Sequence, residues 1–336
     1  MKIVCSIGPN VKSVTHLDKF IASGMNSMRL NFSHASYGKY KTFINYVRKN
    51  NHEIEIVQDL QGSKLRVSSI FENEIKVNFH QEVYFCSEKV YLDHKNDVTP
   101  YIPVALDGSF KSLYKADKIL MKDGTMEFEI LDKNPELDII KTRVKLGGVI
   151  RGRKGINAPG MERSCMELSY KDKQDVKFGL KEGVDVICLS YVSTKEDIIS
   201  LKNFIKEELN ENKVMPRIWA KIECKDGIEN LDSILPEVDG IMVGRGDLVS
   251  EINLLEVPFA EDMILDKCKK YNKEVIFATY ILNSMKFSRK PQLAEIEALF
   301  RYIKMKVDGI MLAGEVGVGK YPVEAIKLAH ELINKY

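Results

Sequence analysis

The sequence lacks the local signatures that would settle a function by themselves. Its six cysteines contain no Cys-x-x-Cys pair and have no histidine partners at zinc-binding spacing, which excludes a zinc-ribbon or finger. No Walker or Rossmann glycine pattern follows a strand-like run, and no Ser-His-Asp or reactive-cysteine arrangement is evident. An excess of one charge is also missing. The 50 Lys+Arg against 48 Asp+Glu leave a net +2, and the scattered basic residues argue against a nucleic-acid footprint. No apolar run calls for a membrane span, and the opening Lys2-Ile3-Val4-Cys5-Ser6 stretch is too short for a signal peptide. The dispersed Cys5, Cys86, Cys165, Cys188, Cys224 and Cys268 read as free thiols in a reducing cytoplasm. The mature fold is expected to begin there at its first residues.

What is present is length and order. The 336 residues, 44% hydrophobic and 29% charged, allow one large domain or two smaller ones with an ample core. Apolar runs of strand length span 2–7, 27–32, 53–57, 184–189, 217–222, 240–243, 274–278 and 309–312. Stretches with helical periodicity at 197–208, 259–271, 294–305 and 322–333 separate several of them. This is the alternation of parallel βα units, and eight such units close a (β/α)₈ TIM barrel, an α/β fold. The openings Val184-Asp185, Val238-Asp239 and Val307-Asp308 hint at equivalent units, although Val-Asp-Gly is also common turn-to-strand chemistry.

Between the third and fourth runs the period changes. Residues 75–79, 83–85, 118–121, 126–130 and 139–144 alternate, and Asp123-Gly124 is a hairpin-turn signal. The expected organisation is a barrel of 1–66 and 154–336 with a small all-β unit, 67–153, inserted after strand 3. Its exit carries Gly147, Gly148, Gly152, Gly155 and Gly160, a hinge composition suited to a lid.

In such a barrel the strand ends carry the chemistry. Lys221-Ile222-Glu223 and Gly244-Arg245-Gly246-Asp247 close the fifth and sixth runs. Glu223 and Asp247 would then stand side by side, open to a hard divalent ion, with Lys221 aimed at its anion; a surface salt bridge is the alternative. Arg29, Asn31 and Ser33 alternate toward one side at the second strand end, where Arg29 offers a bidentate fork to phosphate or carboxylate. His34 serves either that cluster or a local cap. Asp59, Leu60, Lys64 and Arg66 form a charged loop at the insertion's entrance, functional or solvated surface. Lys154 at the exit would face the same cleft or serve a charged hinge, and Thr279 ends the seventh run as a site hydroxyl or a structural one.

Taken in order along the chain, these segments resemble the pyruvate kinase family. The likeness rests on Lys2 to Pro9, Gly24 to His34, Asp59 to Arg66, Lys154-Gly155-Ile156-Asn157, Lys221-Ile222-Glu223, Gly244 to Leu248, Ala278-Thr279 and Leu312 to Glu315. The resemblance implies phosphoryl transfer from phosphoenolpyruvate to ADP, giving pyruvate and ATP. It implies Mg²⁺ or Mn²⁺ on Glu223 and Asp247, substrate carboxylate on the backbone of Gly246 and Asp247, and substrate phosphate on Arg29. Lys221 would neutralise the moving phosphoryl group, and Thr279 would belong to the protonation site. Asn31, His34, Arg66 and Lys154 would face nucleotide phosphates, and Asp123 the nucleotide-borne metal. Asn31, Ser33, Asp59 and Leu60 mark the monovalent-cation region. There Lys64, with Leu60 and Gln61, resembles the branch that works without K⁺, because an ammonium supplies the missing charge.

The sequence also departs from that family. It ends after the eighth helical stretch, so a C-terminal effector domain is expected to be absent, and a homodimer through the barrel is compatible. Gln292-Leu293 replaces Thr-Arg, Tyr280 replaces glutamine, Tyr191-Val192-Ser193 replaces Phe-Val-Arg, and Val316-Gly317-Val318 replaces Thr-Ala-Lys. Two other functions share parts of this pattern: a Mg²⁺-dependent lyase or aldolase acting on pyruvate enolate, and a non-catalytic binding protein derived from the enzyme. No nucleic-acid or membrane partner is expected.

Overall fold

The computed structural model describes residues 1–50, 53–106, 110–163, 168–209 and 214–336. Cys165 lies outside the described residues; the other five cysteines are free and buried.

Eight parallel strands form a closed barrel: Lys2–Ser6, Ser27–Asn31, Glu55–Asp59, Val186–Leu189, Arg217–Ile222, Gly240–Gly244, Glu274–Ala278 and Gly309–Leu312. The first pairs the last, Lys2 opposite Gly309 and Cys5 opposite Leu312. The pleat sends alternate residues to two cores. Inside the barrel Val4, Val57, Cys188, Trp219, Met242, Ile276 and Met311 pack together. Outside it Ile241, Val243, Phe277 and Ile310 face the helices. Those helices present matching stripes, as in Lys195–Glu208, which buries Ile198, Leu201 and Ile205. Asp197 starts that helix by accepting from the backbone of Ser193 (2.8 Å) and Thr194 (2.9 Å), a cap contributing about 1 kcal/mol. At the N-terminal end of the strands Lys2, Glu55, Arg217 and Glu274 form a ring of ion pairs.

The third strand starts later than its sequence suggests and runs on to Asp59. Its last two residues are polar yet buried, because Gln58 donates to the Asp175 carbonyl (2.6 Å) and Asp59 meets Arg29. The fourth strand likewise begins at Val186 rather than Val184.

Between the third and fourth strands lies a separate seven-stranded sheet, in the order Ile156–Asn157, Lys118–Met121, Met126–Asn134, Ile139–Leu146, Glu82–Cys86, Tyr101–Ala105, Arg66–Val67. A bridge between Arg66 and Gly155 brings its edges together. A second ladder pairs Ile75–Val77 with Gly148–Ile150. The unit is not purely β: Glu88–His94 is helical, a stretch too short to show periodicity. Tyr101–Ala105 escapes a sequence reading because Pro103 sits within it. The packing also exceeds the bounds 67–153, since Leu65, Ile156, Ala158 and Met161 belong to this unit's core. No helix among the described residues is long and apolar enough to cross a membrane.

Candidate active site

The C-terminal strand ends enclose a cavity of about 160 Å³. Arg29, Asn31 and Ser33 reach it from the second strand, Lys64 and Arg66 from the third-strand loop, and Lys221 and Glu223 from the fifth. Gly246, Asp247 and Thr279 follow from the sixth and seventh. Ten of the residues singled out by sequence therefore meet in one place.

Beneath them lies a buried ionic hub. Arg29 donates to Asp59 through Nε (2.7 Å) and Nη2 (2.5 Å), and through Nη1 to Ser6 Oγ (2.6 Å). Ser190 Oγ donates to the other Asp59 oxygen at 3.0 Å. Lys221 Nζ stands 3.4 Å from Asp59, 3.3 Å from Ser190 Oγ and 3.1 Å from Glu223. Burial opposes the charge on Asp59, but Arg29 and Lys221 outweigh it and hold the carboxyl below its ordinary range. Burial opposes the Lys221 ammonium too; Asp59 and Glu223 reverse the sign and keep it charged well above the usual lysine range. Asp59 is thus already committed to two protein cations, and the Leu60 side chain is buried in the layer between the barrel and its helices. Within the monovalent-cation region only Asn31 and Ser33 present side chains to the cavity.

The two carboxylates differ in environment. Glu223 accepts from Tyr191 N (3.1 Å). Burial, reinforced by the neighbouring negative charge of Asp247, pushes its pKa up to about 7 despite Lys221. Asp247 receives Lys64 Nζ on both oxygens, at 2.7 and 2.8 Å, and Asn157 Nδ2 at 3.2 Å. Burial works against its charge, and Lys64 overcomes it, holding the carboxyl far below its ordinary range.

These two residues suit a hard divalent ion. They offer only oxygen, and their mutual repulsion is what such an ion relieves. Gly244 leaves the space they need, since a Cβ there would lie 2.5 Å from Glu223 Cγ. An ion held by these two carboxylates would complete its shell with water and ligand oxygens.

Thr279 and Tyr280 both adopt left-handed backbone, φ 65° and 50°, at about 1–2 kcal/mol each for L-residues. Arg245 locks this turn: its Nε donates to the Ala278 carbonyl at 3.1 Å and its Nη2 to that of Thr279. Thr279 Oγ1 donates to Ala278 O at 2.6 Å and lies 3.5 Å from where a Gly246 Cβ would be. The strain thus presents a hydroxyl beside the backbone of Gly246.

Besides Asp59 and Leu60, three predicted residues stand outside the cavity wall. His34 and Lys154 are exposed; burial and then the charges of Arg66 and Lys154 lower the His34 pKa, placing it among cations. Asp123 sits in the turn joining Lys118–Met121 to Met126–Asn134 and accepts from Tyr280 OH at 3.1 Å. Sequence reasoning missed Ser190, although it directly follows the fourth strand and the strand-end rule would have found it. It also missed the buried pair Arg163–Glu251 (2.8 Å). Asn157 links that pair to the site by facing Glu251 Oε1 (3.3 Å), Tyr191 OH (2.7 Å) and Asp247. No local pattern marks either partner.

Residues 1–326 match the family described as "Pyruvate kinase, barrel domain". Pyruvate kinase of Bacillus licheniformis is 33% identical over 338 residues, covering 99% of this chain and 56% of the relative. That of Geobacillus stearothermophilus is 32% identical over 335 residues, covering 98% of this chain and 56% of the relative. That of Schizosaccharomyces pombe is 34% identical over 334 residues, covering 96% and 64%. The chain therefore spans little more than half the length of the curated relatives it matches.

Proposed function

The chain belongs to the pyruvate kinase barrel-domain family, and on that premise we propose that it transfers the phosphoryl group of phosphoenolpyruvate to ADP in the cytoplasm, without requiring K⁺. The observation that carries this reading is the convergence of Arg29, Lys64, Arg66 and Lys221 on one small cavity whose wall also holds Glu223 and Asp247. Four cations facing two carboxylates suit a substrate bearing both phosphate and carboxylate, brought together with a divalent ion.

Each residue has a role that follows from its surroundings. Arg29, braced by Asp59 and Ser6, presents a fixed positive wall to the phosphate. Lys221 is kept charged by Asp59 and Glu223, so it offsets negative charge on the phosphoryl group in flight and on the enolate left behind. Mg²⁺ or Mn²⁺, held by Glu223 and Asp247, would supply Lewis-acid polarisation of the substrate oxygens. The backbone N–H groups of Gly246 and Asp247 receive the substrate carboxylate. An ADP oxygen attacks phosphorus, the bond from phosphorus to the enol oxygen breaks, and the enolate carbon takes a proton on the side of the Thr279 hydroxyl. Asn31, His34, Arg66 and Lys154 face the nucleotide phosphates, and Asp123 would help to hold a metal accompanying them. The inserted unit acts as the lid that excludes water. Lys64 provides the charge that K⁺ supplies elsewhere in the family.

The test is pyruvate formation from phosphoenolpyruvate and ADP with Mg²⁺ in a Tris buffer, with and without K⁺, beside a Lys221→Met control. Turnover that does not need K⁺ and falls by about 10³-fold or more in the control supports the assignment. A folded, Mg²⁺-binding protein that makes no pyruvate overturns it, in favour of the lyase or a non-catalytic binder. A large stimulation by K⁺ overturns the role of Lys64 alone.

A further inference from the structure

The ammonium of Lys64 does not stand free beside the cavity. It contacts both oxygens of Asp247 and lies 5.8 Å over the ring of Tyr191. Among the described residues Asp247 is one of two carboxylates on the cavity wall, and the other, Glu223, is already faced by Lys221. Each carboxylate is therefore neutralised by an internal lysine before any ligand arrives. The two lysines differ in what else they hold. Lys221 has Asp59 as a second ion-pair partner, whereas Asp247 is the one carboxylate in ion-pair contact with Lys64 among the described residues, Glu223 and Asp123 feeling its charge from farther off.

We infer that Lys64 occupies the divalent ion's place on Asp247 as an internal counter-ion, so that metal binding must release it and an oxyanion in the cavity must receive it. This rests on the assignment of Glu223 and Asp247 as metal ligands. Without an oxyanion, the incoming ion leaves an unpaired ammonium in a partly buried wall next to a divalent charge, which is costly. With one, Lys64 exchanges Asp247 for the oxyanion, and both binding events gain. Metal and phosphate-bearing ligand therefore bind with positive coupling, and by linkage each tightens the other by the same factor. The same lysine that supplies a permanent positive charge also keeps the metal site closed until substrate is present.

Mn²⁺ is titrated into the full chain, free ion being read by electron paramagnetic resonance, with and without sulfate as a simple dianion. Wild type is compared with Lys64→Met, Lys64→Gln and Arg66→Met, their folding checked by circular dichroism. The last variant removes a cation from the same wall that feels the charge of Asp247 but makes no hydrogen bond or ion pair with it. Sulfate should tighten Mn²⁺ binding to wild type by about fivefold or more. Both Lys64 variants should bind Mn²⁺ about tenfold more tightly without sulfate and lose the sulfate effect; Arg66→Met, which removes a phosphate-facing cation, weakens sulfate itself but does not tighten Mn²⁺ binding without sulfate as they do. Lys64 variants that retain the sulfate effect, or an Arg66→Met protein that gains as much sulfate-free Mn²⁺ affinity as they do, overturn the inference and leave the metal site standing. Absence of Mn²⁺ binding in every protein, with or without sulfate, overturns the assignment of Glu223 and Asp247 itself.

Discussion

The hydroxyl of Tyr280 donates to the carboxylate of Asp123 across 3.1 Å, tying the turn of the inserted β unit to the end of the seventh barrel strand. Burial and the Asp123 charge push the Tyr280 pKa up to about 12, so the phenol remains a donor throughout the neutral range. Tyr280→Phe removes this tie and nothing else. Amide exchange of Lys122 to Thr125 should quicken by about fivefold, as expected for the loss of about 1 kcal/mol from one hydrogen bond. Unchanged exchange would mean that other contacts hold the turn in place.

The pair Arg163–Glu251 is almost wholly enclosed, each side chain 2% exposed, with the Arg163 guanidinium 4.8 Å over the Tyr191 ring. Removing one partner leaves the other charge stranded. Arg163→Met alone should cost about 3–5 kcal/mol in urea unfolding, whereas the double variant with Glu251→Met should recover most of that loss. A double variant as unstable as the sum of the singles would show that each side chain contributes separately rather than as a pair.

Asp172 begins the helix Tyr170–Glu182 and accepts from the Gln61 backbone at 3.1 Å, steadying the loop that carries Lys64. Burial is the main cause of its raised pKa, about 6, with Ser169 and Lys171 opposing and Asp175 reinforcing the shift. The folded value lies above the unfolded one, so the stability this group contributes is complete below about pH 4 and is lost as pH rises through 6. Across that window the loss amounts to at most about 3 kcal/mol. Asp172→Asn, neutral at every pH, should flatten the decline of the urea midpoint between pH 4 and 7. Parallel curves for variant and wild type would exclude Asp172 as the source.

Much of this was legible because barrel strand ends force chemistry and sequence into register. Arg217–Ile222, Glu274–Ala278 and Gly309–Leu312 coincide with their apolar runs, and residues at the strand ends and just beyond them form the site. Legibility failed where polar groups are buried by partners distant in sequence. Gln58 and Asp59 lie beyond the apolar run because Asp175, which accepts from the Gln58 amide, and Arg29, which pairs with Asp59, lie on other elements. The target of Lys64 is 183 residues away, and no periodicity links Arg163 to Glu251. A seven-residue helix and a strand containing Pro103 fell below any pattern's reach.

The pairing of Lys2–Cys5 with Gly309–Leu312 has a consequence for how the chain is made. During synthesis the first strand leaves the ribosome with only its second-strand neighbour in prospect, and its other edge stays bare until the final barrel strand emerges. The inserted sheet draws its partners from a single contiguous stretch, so it can complete its pairing long before then. The bare edge of Lys2–Ser6 is thus the one that waits longest for its partner, and closure of the barrel is what ends that exposure.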